Sequence, residues 1–324
     1  MTGWSMPDGM ASMSNDSARS QAGVVERLRL AIDRVGLPAW FIVIDLLWIV
    51  NPAALGIDAR HYQRATDAWL SGADPWKVTE SGIPYASGPH TLLLYAPTSV
   101  LPLGLSVVLW TLLGVAATVW LVRRLRLPWY WLLFPPLLHS MWNGNPQSIA
   151  LALLVAAGPV AASIAVLMKL YAGVPLLGRW RDLVISGIVL VVTLPLVPWG
   201  MYLADGLGVG VHLQTAWNGS AWRLPVLIPF VLVALWVLRR KGAEWFAVPA
   251  LFPATQFYYV AMATPAIGGR RLVAAALALP MVLMVPIVVI VLAVREVAVR
   301  RGWSLPRTPA DLGRRLRVGG EHPG

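Results

Sequence analysis

Residues 103–124 read LGLSVVLWTLLGVAATVWLVRR. From Leu103 to Val122 the segment carries no charge, and it ends on Arg123 and Arg124, with Arg126 just beyond. A helix that crosses a bilayer needs roughly 20 predominantly apolar residues. The stretch therefore predicts a membrane span whose basic end lies in the cytosol. Composition agrees: of 324 residues, 57 % are hydrophobic and 13 % charged, and the mean hydropathy is +0.65. A soluble chain carries about 25 % charged residues. Half that share, with 17 Trp and 26 Pro, excludes an ordinary cytosolic enzyme, a disordered chain and a nucleic-acid module. The net charge of +11 comes from basic residues clustered at the ends of apolar runs, where they set topology. With no cysteine there is no disulfide framework and no thiolate metal site.

Working outward, a preceding span runs from Leu37 to about Leu55, behind Arg27, Arg29 and Arg34. Residues 1–22 are small and polar and read as a disordered cytosolic tail without a cleaved signal segment. On the other side a span covers Pro128 to Trp142, followed by an outer turn, Asn143 to Gln147. Ser148 to Gly178 is too long for one straight span and is broken at Gly158-Pro159. It reads as a span followed by a broken or re-entrant helix, ending at Arg179 and Arg181. Leu183–Leu203 and Leu224–Leu238 follow, separated by an outer loop and closed by Arg239-Arg240-Lys241. Eleven basic residues flank the cytosolic ends and four lie in the two large outer loops, the sign the positive-inside rule requires.

The last third has two readings. Residues 243–268 are one full pass, leaving Arg270-Arg271 outside and the tail from Arg295 inside, or two half-helices, reversing both. The longer basic tail favours a cytosolic C-terminus. The expected architecture is an all-α, polytopic membrane protein of about eight spans, with a membrane domain over 23–294 and a basic tail over 295–324. Many Trp, among them Trp40, Trp129, Trp142 and Trp199, fall near span ends as an aromatic belt.

The chemistry is expected in the outer segment 56–102. Asp58 opens a run, DARHYQRATDAWL, in which Tyr62, Ala65 and Trp69 form one apolar helical face. Arg60, Arg64 and Asp67 lie on the other, so the helix is expected in the membrane interface. Asp58 would sit at its start, either as a general base or as an N-cap. Asp74-Pro75 reads as a turn. Asp45, inside the first span, is an ionisable residue at membrane depth and marks a functional position or an intramembrane pair.

These residues also carry a resemblance. Asp58, Tyr62 and Ala65, then Trp69-Leu70-Ser71-Gly72-Ala73-Asp74-Pro75-Trp76, Tyr85, Tyr95-Ala96-Pro97 and Leu101-Pro102, resemble the opening of glycosyltransferase family 87. Leu138-His139-Ser140-Met141-Trp142-Asn143-Gly144-Asn145-Pro146-Gln147 resembles that family's polar turn and helix, with Asn145 where the family often has Gln. Lys169-Leu170-Tyr171, Pro175-Leu176-Leu177 and Arg179-Trp180-Arg181 resemble its lysine, proline and basic series. Pro253-Ala254-Thr255-Gln256-Phe257-Tyr258-Tyr259 resembles its late outer turn.

The resemblance implies a membrane mannosyltransferase of the GT-C superfamily. Such an enzyme moves a sugar from a polyprenyl-phosphate donor to a lipid-linked or glycan acceptor on the extracytoplasmic face of the plasma membrane. It implies Asp58 as the base, with inversion at the anomeric carbon. By charge alone Arg60, Arg64 and Lys169 are candidates to hold the phosphate, and Lys169 reads equally as a side chain reaching to an interface. Tyr62, Asp74, Trp76, Tyr85, His139, Asn143, Asn145, Gln147, Gln256 and Tyr259 are further candidates for substrate contact. No cofactor, metal or nucleic-acid partner is expected; the lipid-linked sugar is the co-substrate. The rival readings are a transporter or lipid flippase built on an Asp45–Lys169 charge pair, and a family member without catalysis.

Overall fold

The computed structural model describes residues 35–209 and 219–303. The expected N-terminal tail, the arginines before the first span and most of the C-terminal tail lie outside these residues, as does part of the loop after Asp205. The described chain is mostly helical, with one two-stranded hairpin, β1 (Thr79–Glu80) and β2 (Ile83–Pro84).

The helix α1 (Val35–Ile49) ends in a π-helical turn from Asp45. It bends by 78° into the segment Pro52–Leu70, whose α-helix is α2 (Ile57–Leu70). Short α3 (His90–Tyr95) precedes α4 (Leu103–Arg124), a straight helix of 22 residues. This is the one described helix long and apolar enough to cross a membrane by itself. Its buried face is a stripe of every fourth residue, Ser106, Trp110, Gly114, Thr118 and Val122. Its exposed face carries Leu105, Val108, Leu112, Val115 and Trp120. Ser106, Gly114 and Thr118 thus pack inward together with Trp110, Leu121 and Val122, on the side of α2, α5 and α6, while the exposed side is apolar as far as Trp120.

Other helices are shorter than the expected spans, and proline explains why. Pro135-Pro136 divides the third span into a 3-10 turn (Trp129–Leu133) and α5 (Pro135–Trp142). Ala157 and Gly158, both at positive φ, divide the next run into α6 (Gln147–Ala156) and α7 (Pro159–Met168). At 1.5 Å per residue each is about 15 Å long, half a hydrocarbon core. A 3-10 segment (Leu170–Gly178) around Pro175 returns the chain to α8 (Trp180–Thr193). The run beginning with α8 then turns by 94°, past Pro195 and Pro198, into α9 (Trp199–Val209).

The last third is built of short helices, and residues 243–268 take the second of the two expected forms. After α10 (Ile228–Val237), α11 (Ala243–Leu251) and the helical segment Phe257–Ile267 pack against each other as two short half-helices. A Cβ on Gly242 would lie 3.1 Å from that of Ala266, so the hairpin closes where it began. The chain then goes out through α12 (Arg271–Leu277) and back through α13 (Met284–Arg300). Leu283 N–H reaches Gly219 O at 3.3 Å at one end, and Arg300 Nη2 reaches Val237 O at 3.2 Å at the other. Arg239–Lys241, Arg270-Arg271 and Arg300-Arg301 therefore gather at one end of the bundle.

The turn after α5 seats α2. Gly56 N–H and Asp58 N–H donate to the carbonyls of Trp142 and Asn143, each at 2.8 Å. Gly144 makes the approach possible: its φ is +66°, and a Cβ there would lie 2.8 Å from Ala59 Cβ. Gly144→Ala is expected to cost about 2–4 kcal/mol, from left-handed backbone strain and overpacking together. A lowered unfolding temperature in detergent measures it.

Candidate functional site

Because backbone carbonyls of the 142–143 turn satisfy the start of α2, Asp58 is not spent as a cap. It stands in the first turn, and its carboxylate accepts a 2.7 Å hydrogen bond from Asn145 Nδ2. Asn145 Oδ1 accepts from Gln147 N–H at 2.9 Å, so one amide caps α6 and orients the acid. Burial holds the Asp58 carboxyl above its usual range, opposed by the Asn145 hydrogen bond and by the charges of Lys169 and His61.

Asp58 lines two cavities. The first, about 500 Å³, is also lined by Tyr62, Tyr85, Lys169, Tyr258 and Tyr259. The second, about 760 Å³, is lined by His139, Asn143, Glu80 and Arg223 and by apolar side chains including Trp48, Phe257 and Met281. Both volumes are in the range of small-ligand sites. Asp58, His61, Ile83 and Gln256 belong to both linings.

Lys169 is buried at 5 % exposure, follows the end of α7, and donates to the hydroxyl of Tyr62. That hydroxyl also bonds Ser87 Oγ at 2.6 Å. Lys169 makes no ion pair among the described residues, Asp45 included. Asp45 is buried, with both oxygens unpartnered among those residues, so the pair needed by the transporter reading is not formed.

Arg60 and Arg64 are committed elsewhere. Both bind Glu80, at 3.1 and 2.5 Å, and Arg60 Nη1 also bonds Leu55 O. They clamp the β-hairpin onto α2, and neither is placed to hold a phosphate in the two cavities. Asp74 makes a turn, accepting from Trp76 N–H at 2.9 Å and pairing with Lys77; it lines neither cavity. Trp76 lies behind the wall, its Nε1 donating to Ser87 O. Gln147 is buried away from both cavities and accepts from the Tyr171 hydroxyl. His139 and Asn143 line the second cavity, and His139 Nδ1 and Asn143 Oδ1 are themselves buried and unpartnered among the described residues. Tyr85 and Tyr259 line the first.

Sequence reading missed His61, Glu80 and Ser87. His61 carries a signal in hindsight: it follows Asp58 by three residues, on the same helical face. Among the described residues no three or more His, Asp or Glu side chains converge as a metal site. Comparison with protein-family models, curated proteins and solved structures finds no match to this chain. The site's geometry therefore carries the functional argument, beside the resemblance of the motifs.

Proposed function

We propose that the chain is a polytopic membrane glycosyltransferase, moving a hexose such as mannose from a polyprenyl-phosphate donor to a lipid-linked or glycan acceptor. Asp58 at the junction of two cavities is the observation that carries this reading. A group-transfer enzyme with two substrates needs one base within reach of both.

The membrane setting is supported by side-chain distribution. Large apolar residues cover the outside of α4, α8, α10 and α13, far more than a water-soluble surface exposes. Ser106, Gly114 and Thr118 lie on the inside of α4, the small and polar residues that helix packing in lipid favours. Short helices and 3-10 segments at membrane depth are tolerated where protein or a cavity covers them. The basic clusters gathered at one end make that end cytosolic. The site lies toward the other end, with Leu283, Gly219 and Thr255, and so faces the extracytoplasmic side of the plasma membrane.

In the proposed reaction the first cavity takes the phosphate and sugar of the donor, because Lys169 lines it. The acceptor enters the second, which His139 and Asn143 line beside Asp58. Asp58 removes the proton from the attacking hydroxyl, and the new C–O bond forms at the anomeric carbon. The bond from that carbon to the phosphate oxygen breaks. Its electron pair stays on the departing polyprenyl phosphate, whose charge Lys169 stabilises.

Membranes from cells expressing the protein, given polyprenyl-phosphate-mannose labelled in the sugar, are expected to form labelled glycolipid above the vector control. Label that stays on the donor with every polyprenyl-phosphate hexose offered contradicts the reading.

A further inference from the structure

Four residues line both cavities, and a sugar handed from one to the other passes them. His61 is among them and has no part in the reaction as drawn above. Its ring is 7 % exposed, packed edge-on against Tyr85 with centroids 5.6 Å apart. Its Nε2 lies 3.2 Å from Val78 O. A carbonyl only accepts, so Nε2 carries the hydrogen and Nδ1 keeps a lone pair. Nδ1 has no protein partner among the described residues. Burial lowers the proton affinity of the ring, against the pull of the Val78 carbonyl, Asp58 and Glu80. At neutral pH the ring is therefore a rigid, uncharged acceptor beside the base.

We propose that His61 reads a hydroxyl of the sugar in transit, accepting its hydrogen at Nδ1, and so selects which hexose is transferred. The inference rests on the transferase reading. Ionised Asp58 accepts from any donor around it, and the Gln256 amide both donates and accepts. A fixed imidazole lone pair is directional and rejects a sugar that lacks the hydroxyl or points it elsewhere.

Two substitutions separate reading from mere support. His61→Gln puts an amide nitrogen near the place of Nε2, keeping the bond to Val78 and removing the Nδ1 acceptor. His61→Asn keeps an acceptor near Nδ1 and gives up the bond to Val78. Transfer would be measured from polyprenyl-phosphate-mannose and from each of its monodeoxy analogues. Wild type is expected to lose about tenfold in kcat/KM with one analogue. His61→Gln should lose about tenfold with the parent sugar and nothing further with that analogue, while His61→Asn keeps the wild-type preference. An unchanged ranking of sugars in His61→Gln, whatever its overall rate, overturns the inference and leaves the transferase reading standing. A wild type that transfers none of the sugars removes both.

Discussion

Lys169→Met is expected to raise the donor KM about 30- to 150-fold, the loss of one charge-assisted contact worth about 2–3 kcal/mol. The same substitution should raise the unfolding temperature of the substrate-free protein. Lys169 is buried, and its hydrogen-bond partner is a neutral phenol, that of Tyr62. A charge held in that way costs desolvation that the Asp58 carboxylate offsets only in part, and methionine fills similar volume without it. Stability rising while donor binding falls is the pattern of a residue kept for a ligand. Steady-state kinetics over donor concentration and unfolding in detergent check the two halves. A lysine that only supported the fold would lower both, and one that only reached toward an interface would change neither.

Asp58→Asn is expected to lower kcat by about 100- to 10,000-fold, the range of a lost general base, with donor affinity nearly unchanged. The variant amide has nearly the volume of the acid, so the junction of the cavities keeps its shape. The pH dependence carries a second signature. The base is the ionised carboxylate, so the rate rises with pH as Asp58 loses its proton. Because burial holds its pKa above the usual carboxylate range, that rise falls at correspondingly higher pH. Asn145 opposes this by hydrogen-bonding the ionised form. Asn145→Leu should therefore move the rising limb to still higher pH, where the same limb in wild type has already levelled.

Much of the scaffold of this site is local and could be read from spacing. Leu103–Arg124 is uninterrupted, so its apolar length alone defines α4. Tyr62, Ala65 and Trp69 lie on one face of α2 as their intervals require, and that face packs inward. Asp74-Pro75 makes the turn its residues favour. What was not legible depends on partners distant in sequence. Charge marked Arg60 and Arg64 as phosphate ligands, but Glu80, on a hairpin with little strand signal, takes both. Gln147 read as a sugar contact, yet the Tyr171 hydroxyl occupies it. Residues 243–268 were open between one crossing and two half-helices because hydropathy does not distinguish the two; proline and glycine let the half-helices fold back on each other. Asp58 itself was ambiguous between base and cap. The carbonyls of Trp142 and Asn143 settle only that it is not the cap.

Two acids, Asp45 buried and Asp58 half-buried, now stand for two kinds of protein. Asp45 sits within α1, and a pathway through the membrane would depend on it; Asp58 sits where two cavities meet, and group transfer would depend on it. The direct measurement is sugar transfer by purified wild type, Asp58→Asn and Asp45→Asn in proteoliposomes at matched protein content. The account predicts labelled product from wild type and Asp45→Asn, and a loss of at least about 100-fold in Asp58→Asn. Product formed equally by Asp58→Asn, or lost only in Asp45→Asn, would contradict it.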